Sequence, residues 1–120
     1  CNLKSTTKSS LNLASKFFFN FSKSSRNGGA IYNVGNLTVI NATIANNKAT
    51  IGGAIFIDKF STSECNIKFQ NVVFKDNEAS GYNDHAGGAI YAQAVGGQIV
   101  IDNCSFISNS VSKNFAGGAI

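Results

Sequence analysis

Gly28-Gly29-Ala30-Ile31 returns three times, as Gly52-Gly53-Ala54-Ile55, Gly87-Gly88-Ala89-Ile90 and Gly117-Gly118-Ala119-Ile120. Eight of the twelve glycines lie in these pairs, so glycine marks a period here rather than a flexible linker. Repeats at about 20–50 residues indicate solenoids, propellers or arrays. The copies start 24, 35 and 30 residues apart. Rigid helical arrays do not stretch in that way. Strands of fixed length joined by loops of variable length do.

A second block lies between the glycine pairs. Residues 37–47, 67–77 and 99–109 align without a gap. Alternation at Leu37/Val39, Ile67/Phe69 and Ile99/Ile101 predicts a strand. Asn41, Asn71 and Asn103 then predict a corner, because asparagine tolerates the left-handed conformation. A third short strand carries Ala42/Ile44, Val72/Phe74 or Cys104/Phe106. Asn47, Asn77 or Asn109 ends it, and a loop returns to the next Gly-Gly, the longest from Glu78 to Ala86. Each Gly-Gly-Ala-Ile is read as a strand of its own, closed by Tyr32, Phe56 or Tyr91. Residues 11–21 follow the block less closely: Leu11 and Leu13 alternate, and Phe17-Phe18-Phe19-Asn20 ends the stretch.

Three such strands per coil are too short to bury anything alone, so the coils must stack. The expected fold is all-β, a single-stranded parallel β-helix of about four coils. The coils run over about 11–27, 28–51, 52–86 and 87–116, with the next starting at 117–120. Residues 1–10 read as a basic polar arm or a worn coil edge. Stacking at about 4.7–4.9 Å puts Leu37, Ile67 and Ile99 in one core column and Ile44, Phe74 and Phe106 in another. Gly-Gly permits a bend that a Cβ would obstruct. Alternation places Ile31, Ile55, Ile90 and Ile120 inside and turns Tyr32, Phe56 and Tyr91 outward as an aromatic row. The opposite phase would put the alanines and the aromatics inside.

The composition is that of a folded chain: 43% hydrophobic and 13% charged residues, too apolar for intrinsic disorder. At 120 residues it makes at most one domain. The net charge is +4 and the isoelectric point about 9.1. Lys4, Lys8, Lys16, Lys23 and Arg26 precede the first glycine pair, and no acid does. This reads as a solvated surface, and no nucleic-acid signature accompanies it. No stretch is long and apolar enough to be a transmembrane helix. Of three cysteines, Cys104 aligns with Ala42 and Val72 and is expected to pack as a small apolar residue. Cys65 opens a strand block. Cys1 could form a disulfide with a neighbouring chain, pair with Cys65, or carry a lipid.

Gly-Gly-Ala-Ile alternating with Phe-x-x-Asn, seen at Phe17–Asn20, Phe74–Asn77 and Phe106–Asn109 with Ile44–Asn47 as a variant, resembles the repeats of the chlamydial polymorphic outer-membrane proteins. The resemblance covers roughly residues 11–120. It implies a right-handed β-helix and an extracellular, passenger-like segment involved in adhesion.

Parallel β-helices also carry polysaccharide lyases and hydrolases, which makes catalysis a competing expectation. Glycoside hydrolysis needs two carboxylates across the bond. The six acids are Asp58, Glu64, Asp76, Glu78, Asp84 and Asp102, and none stack on one face in the alignment. Asp76, Glu78, Asp84 and His85 share one loop region, read as solvated. With His85 the only histidine, a multi-histidine zinc site within one chain is excluded. The glycine pairs are not followed by Lys-Ser/Thr, so they are not phosphate loops. No catalytic, cofactor-binding or metal-binding residue is expected.

Asn20, Asn36, Asn41 and Asn103 each open an Asn-x-Ser/Thr sequon, the acceptor pattern for N-glycosylation. Asn36 falls in a short turn. Asn41 and Asn103 share a corner, which excludes a glycan if it points inward as a ladder and admits one if it points outward. The expected role is an adhesive surface-protein segment, with a head-to-tail filament subunit as the alternative. Expected partners are further copies stacked along the axis, and host or environmental surface glycans.

Overall fold

The computed structural model describes residues 3–5, 10–13, 17–20, 25–33, 36–58, 66–81, 86–93, 97–112 and 117–120, with only the backbone described up to residue 26. The described residues form strands and connections, without a helix. The first pass of the chain gives β1 (Leu3–Ser5), β2 (Ser10–Leu13), β3 (Phe17–Asn20) and β4 (Ser25–Asn27). The second gives β5 (Ile31–Asn33), β6 (Asn36–Ala45) and β7 (Lys48–Ile51). The third gives β8 (Ile55–Ile57), β9 (Asn66–Lys75) and β10 (Glu78–Ala79). The fourth gives β11 (Ile90–Ala92), β12 (Gln98–Asp102), β13 (Ser105–Ile107) and β14 (Ser110–Val111).

Three parallel sheets collect these strands. The first has the order β1-β5-β8-β11, the second β12-β9-β6-β2 with β13 on β9 and β3 on β6, and the third β14-β10-β7-β4. Each pass therefore visits the sheets in the same order, and each strand pairs with its counterpart from the adjacent pass. The register is that of the sequence alignment: Leu37 opposite Ile67 and Ile67 opposite Ile99, Ile44 opposite Phe74 and Phe74 opposite Phe106. The core lies where the first two sheets face each other. Ala30, Ile31, Leu37, Val39, Ile44, Ile55, Phe69, Phe74 and Ile90 are among its buried members. Phe74 stacks on Phe106 at 4.9 Å and meets Phe69 edge-on at 5.4 Å. In the fourth pass Ile99 and Ile101 are exposed, as is Ile120; no described strand packs over them.

Several strand boundaries and one register differ from the sequence reading, and the strands read as Gly-Gly-Ala-Ile begin only at Ile31, Ile55 and Ile90. The corner at Asn41 and Asn71 does not break the strand, because β6 and β9 run through it as ten-residue strands. A single left-handed residue (φ 55° and 54°) kinks the strand, while its neighbours Ile40 and Ala42 keep their partners Gln70 and Val72. Only in the fourth pass does Asn103 separate β12 from β13. The third sheet instead occupies what reads as the start of the return loop, including Glu78. Its strands are two to four residues long; only Lys48–Ile51 is long enough to alternate, and they are secured by Ala49, Ile51 and Ala79 turned into the interior. In the first pass Phe19, not Phe17, stands opposite Ile44. Leu13 pairs with Val39 and Phe17 with Ala42, so the first pass holds one residue more between these points.

The two glycines of each pair do different work. Gly28, Gly52, Gly87 and Gly117 have φ of 66°, 63°, 79° and 83°, turning the chain from the third sheet into the first. Gly29, Gly53 and Gly88 permit close approach: a Cβ on them would lie 2.3, 2.0 and 2.0 Å from the carbonyl oxygens of Gly53, Gly88 and Gly118. The alanine after each pair supplies a shared acceptor. Ala54 O takes hydrogen bonds from Ala30 N (2.8 Å) and Ile31 N (3.0 Å), and Ala89 O takes them from Ala54 N and Ile55 N.

Candidate functional site

Because the passes are in register, any residue type repeated at one position forms a column. Three columns carry polar or aromatic chemistry. The first is internal. Asn47, Asn77 and Asn109 each come directly after a left-handed residue, Asn46, Asp76 or Ser108, with φ of 56°, 53° and 52°. That turn carries the chain from the second sheet to the third and points the next amide inward. Asn47 and Asn77 are fully buried. Asn77 Oδ1 accepts from Asn47 N (3.1 Å) and Asn47 Nδ2 (2.9 Å). Asn77 Nδ2 donates to Ile44 O and to Asn109 Oδ1, each at 2.9 Å. Asn109 Nδ2 donates in turn to Phe74 O (2.9 Å), and Asn77 N to Asn109 Oδ1 (3.1 Å). Buried polar groups cost stability unless hydrogen-bonded, and here each amide bridges two passes.

The second column is external. Asn41, Asn71 and Asn103 are exposed on the outer face of the second sheet. Asn71 Nδ2 donates to Asn41 Oδ1 at 3.1 Å, and Asn103 Nδ2 to Asn71 Oδ1 at 2.5 Å. The corner asparagines are thus a ladder and outward at once, a combination that the sequence reading treats as exclusive. Asn36 also faces out, with its Oδ1 accepting from Asn66 N at 2.9 Å.

The third column is aromatic. Tyr32, Phe56 and Tyr91 pair across β5, β8 and β11. Their rings stack at 5.3 Å between successive centroids, while Ile31, Ile55 and Ile90 on the opposite phase are buried. Phe56 is itself only 4% exposed between its neighbours. A ring whose two faces are covered cannot stack on a sugar, so this geometry favours axial packing over carbohydrate binding. The Tyr32 hydroxyl donates to Asp58 Oδ2. That bond to a carboxylate, followed by burial, pushes the phenol up to about 12.

Among the described residues the acids are dispersed. Glu78 Oε2 lies 3.0 Å from Lys48 Nζ, and Glu78 Oε1 accepts from Ser112 Oγ at 2.8 Å. The hydrogen bonds from Lys48 and Ser112 hold its carboxyl below the usual value. Asp76 lies 3.9 Å from Lys75 Nζ. Among the described residues no group of three or more His, Cys, Asp or Glu comes together, and no helix is long and apolar enough to cross a membrane.

Cys104 packs half-buried against the core, its Sγ 3.3 Å from Asp102 O. Asn20 lies on β3 opposite Ala45. Cys1, Cys65, Glu64, Asp84 and His85 lie outside the described residues. Sequence reasoning missed the inner amide ladder, since it reads Asn47, Asn77 and Asn109 only as strand ends. The signal was present: in two of three copies an asparagine or aspartate stands immediately before that asparagine, as Asn46-Asn47 and Asp76-Asn77.

The sequence model of the Chlamydia polymorphic membrane protein (Chlamydia_PMP) repeat matches residues 71–93. That window holds the Asn71 corner, Phe74–Asn77, β10, the third glycine pair and Tyr91, one rung of each column. Neither a curated protein nor a solved structure matches the chain.

Proposed function

We propose that the chain is a stretch of a right-handed, single-stranded parallel β-helix at a cell surface, with a structural and adhesive role and no catalysis. The observation that carries this reading is the repeat match over residues 71–93, which runs from within β9 through β10 to β11 and so touches each of the three sheets once. The right hand is the usual sense of crossovers between parallel strands of one sheet, right-handed in about 98% of cases. The coils start at Gly28, Gly52 and Gly87, with Gly117 opening the next. A lyase or hydrolase would need acids gathered on one face. Asp58, Asp76 and Glu78 instead pair with Tyr32, Lys75 and Lys48.

Labelling intact cells with a membrane-impermeant amine reagent tests the location. The exposed Lys48 and Lys75 are its targets, and an unlabelled protein on cells whose other surface proteins label would refute the reading. Loss of cell attachment on deleting the gene, restored by the gene, tests adhesion.

A filament is the second reading: apolar side chains are uncovered on the fourth pass, where Ile99 is 37% and Ile101 42% exposed. Either a further coil of a longer chain or the first coil of another copy covers them. The polypeptide mass of the natural protein and its sedimentation in dilute solution separate the two.

A further inference from the structure

We propose that the outer face of the second sheet is a site of covalent modification, carrying N-linked glycans on Asn41 and Asn103. The inference rests on the surface location proposed above and adds a function to one face of the molecule.

Sequons are common in chains rich in asparagine and serine, so the pattern alone proves little. The structure adds orientation. In each of these two sequons the middle residue turns inward: Ala42 is buried and Cys104 packs on the core. The asparagine and the hydroxyl residue two places on therefore share the outer face, as Asn41 with Thr43 and Asn103 with Ser105. The kink at φ 55° and 50° lifts each asparagine out of the strand plane, and both are exposed. Asn36 and Thr38 also lie on this face but are half-buried.

The external ladder does not oppose the modification. An amide nitrogen carries two hydrogens. Asn103 Nδ2 uses one toward Asn71 Oδ1, and Asn41 enters the ladder through Oδ1. Each can bear one sugar on nitrogen and keep its ladder bond. The donor class is an oligosaccharide linked through its anomeric carbon to a lipid diphosphate. The anomeric carbon–oxygen bond breaks, a carbon–nitrogen bond to Nδ2 forms, Nδ2 loses a proton to a base of the transferase, and the lipid diphosphate leaves. No redox step is involved.

Asn71 is the internal control. It shares the corner, the φ of 54° and the exposure, but Val73 stands where the hydroxyl is required. Two glycans on this face would stand two strand spacings apart, about 10 Å, and would cover the sheet between them. Contacts with a receptor would then fall to the other two sheets and the connections.

The test uses the protein isolated from its own cells, with surface labelling read on the same material. Enzymatic release of N-glycans converts each occupied asparagine to aspartate, which peptide mass mapping locates. Conversion at Asn41, Asn103 or both, with Asn71 unchanged, supports the proposal. Export with both asparagines unconverted overturns it and leaves the surface reading intact; a protein neither labelled nor converted overturns both. Val73→Thr completes a sequon at Asn71 and is expected to add a third site. If Asn41 and Asn103 are occupied and Asn71 stays bare in that variant, exposure at the corner is not what selects the sites.

Discussion

Gly53→Ala places one methyl group where two passes nearly touch. The added carbon would sit 2.0 Å from Gly88 O and 2.7 Å from both the carbonyl carbon and oxygen of Glu78. All three are backbone atoms, so no side chain can swing aside. Carbon–oxygen contacts settle at about 3.3 Å or more, and the passes must separate locally by about 1 Å. Four hydrogen bonds cross the gap there: Gly52 N to Ala86 O at 3.0 Å, Gly53 N to Gly87 O at 3.1 Å, Ala54 N to Ala89 O at 2.9 Å and Ile55 N to Ala89 O at 2.8 Å. An extra 1 Å takes each beyond the bonding range. At about 1 kcal/mol net per bond, losing all four costs about 4 kcal/mol; overpacking in general costs about 1–3 kcal/mol. The expected loss is therefore about 3–4 kcal/mol, a large fraction of the roughly 5–15 kcal/mol that holds a typical domain. Denaturant melts monitored by far-UV circular dichroism measure it as a lower midpoint at unchanged slope. A loss below about 1 kcal/mol would refute the close approach of these passes, since Gly53 has no positive φ to account for it separately.

Gly118→Ala reports whether another pass stacks beyond Ile120. Here the added carbon meets only Asn109 O at 3.6 Å, so the change is neutral to within about 0.5 kcal/mol if the stack ends there; a loss like that of Gly53→Ala in the natural protein reports a further coil. Asn77→Ala removes four hydrogen bonds at once, with Asn47, Ile44 and Asn109. Leaving buried groups unpaired costs about 1–3 kcal/mol each, and a loss under about 2 kcal/mol in a urea melt would contradict an internal ladder. Phe74→Asp puts a carboxylate in the stack with Phe69 and Phe106; it is expected to abolish cooperative unfolding, whereas an unchanged melting temperature would mean the passes are misaligned. Glu78 is depressed in the folded state, so its contribution is full above its unfolded value and fades as pH falls through the folded one. Both partners of the Lys48–Glu78 pair are more than a third exposed, which limits the effect to well under about 1 kcal/mol. Glu78→Gln is expected to remove this small acid-side slope, and a slope equal to that of the unmutated protein would exclude the pair as its source.

The columns at Leu37, Ile67 and Ile99, and at Ile44, Phe74 and Phe106, were legible because a strand alternates with period two and the block aligns without a gap. The third sheet was not. Glu78–Ala79 and Ser110–Val111 are too short to carry a period, the alternation of Lys48–Ile51 spans only four residues, and the neighbouring passes make them strands. The direction of the corner asparagines was also hidden. An asparagine at a bend reads the same whether its side chain ends in the core or in water, and Asn41 and Asn47 lie six residues apart with opposite outcomes. What separates them is the residue before: Asn47 comes after the left-handed Asn46 and is turned in, while Asn41 is itself the left-handed residue and is turned out.

The repeated chemistry and the variable chemistry of the chain sit in different places, and this bears on what the molecule can recognise. Glycine pairs, alanine carbonyls and inner asparagines are taken up by the adjacent pass, through backbone contacts and amide bridges. Every pass presents the same edge to the next, so these groups specify register and direction but discriminate no ligand. Phe56 at the centre of the aromatic column obeys the same rule, its two faces taken up by Tyr32 and Tyr91. The connections between the first and second sheets do not: two residues separate β5 from β6, eight separate β8 from β9, and five separate β11 from β12. A length change is tolerated only where it leaves the stacked strands untouched. A partner that distinguishes this chain from another of the same repeat therefore has those connections to read, on the side where the first sheet passes to the second, together with outward strand residues that change from pass to pass, such as Thr38, Lys68 and Val100. Replacing residues 59–65 by a single residue, which matches the two-residue connection of the second pass and keeps Asp58 with its bonds to Tyr32 and Asn33, should leave the melting midpoint nearly unchanged while altering cell attachment. A collapse of the fold on that exchange would show that the long connection supports the stack and is not carried by it.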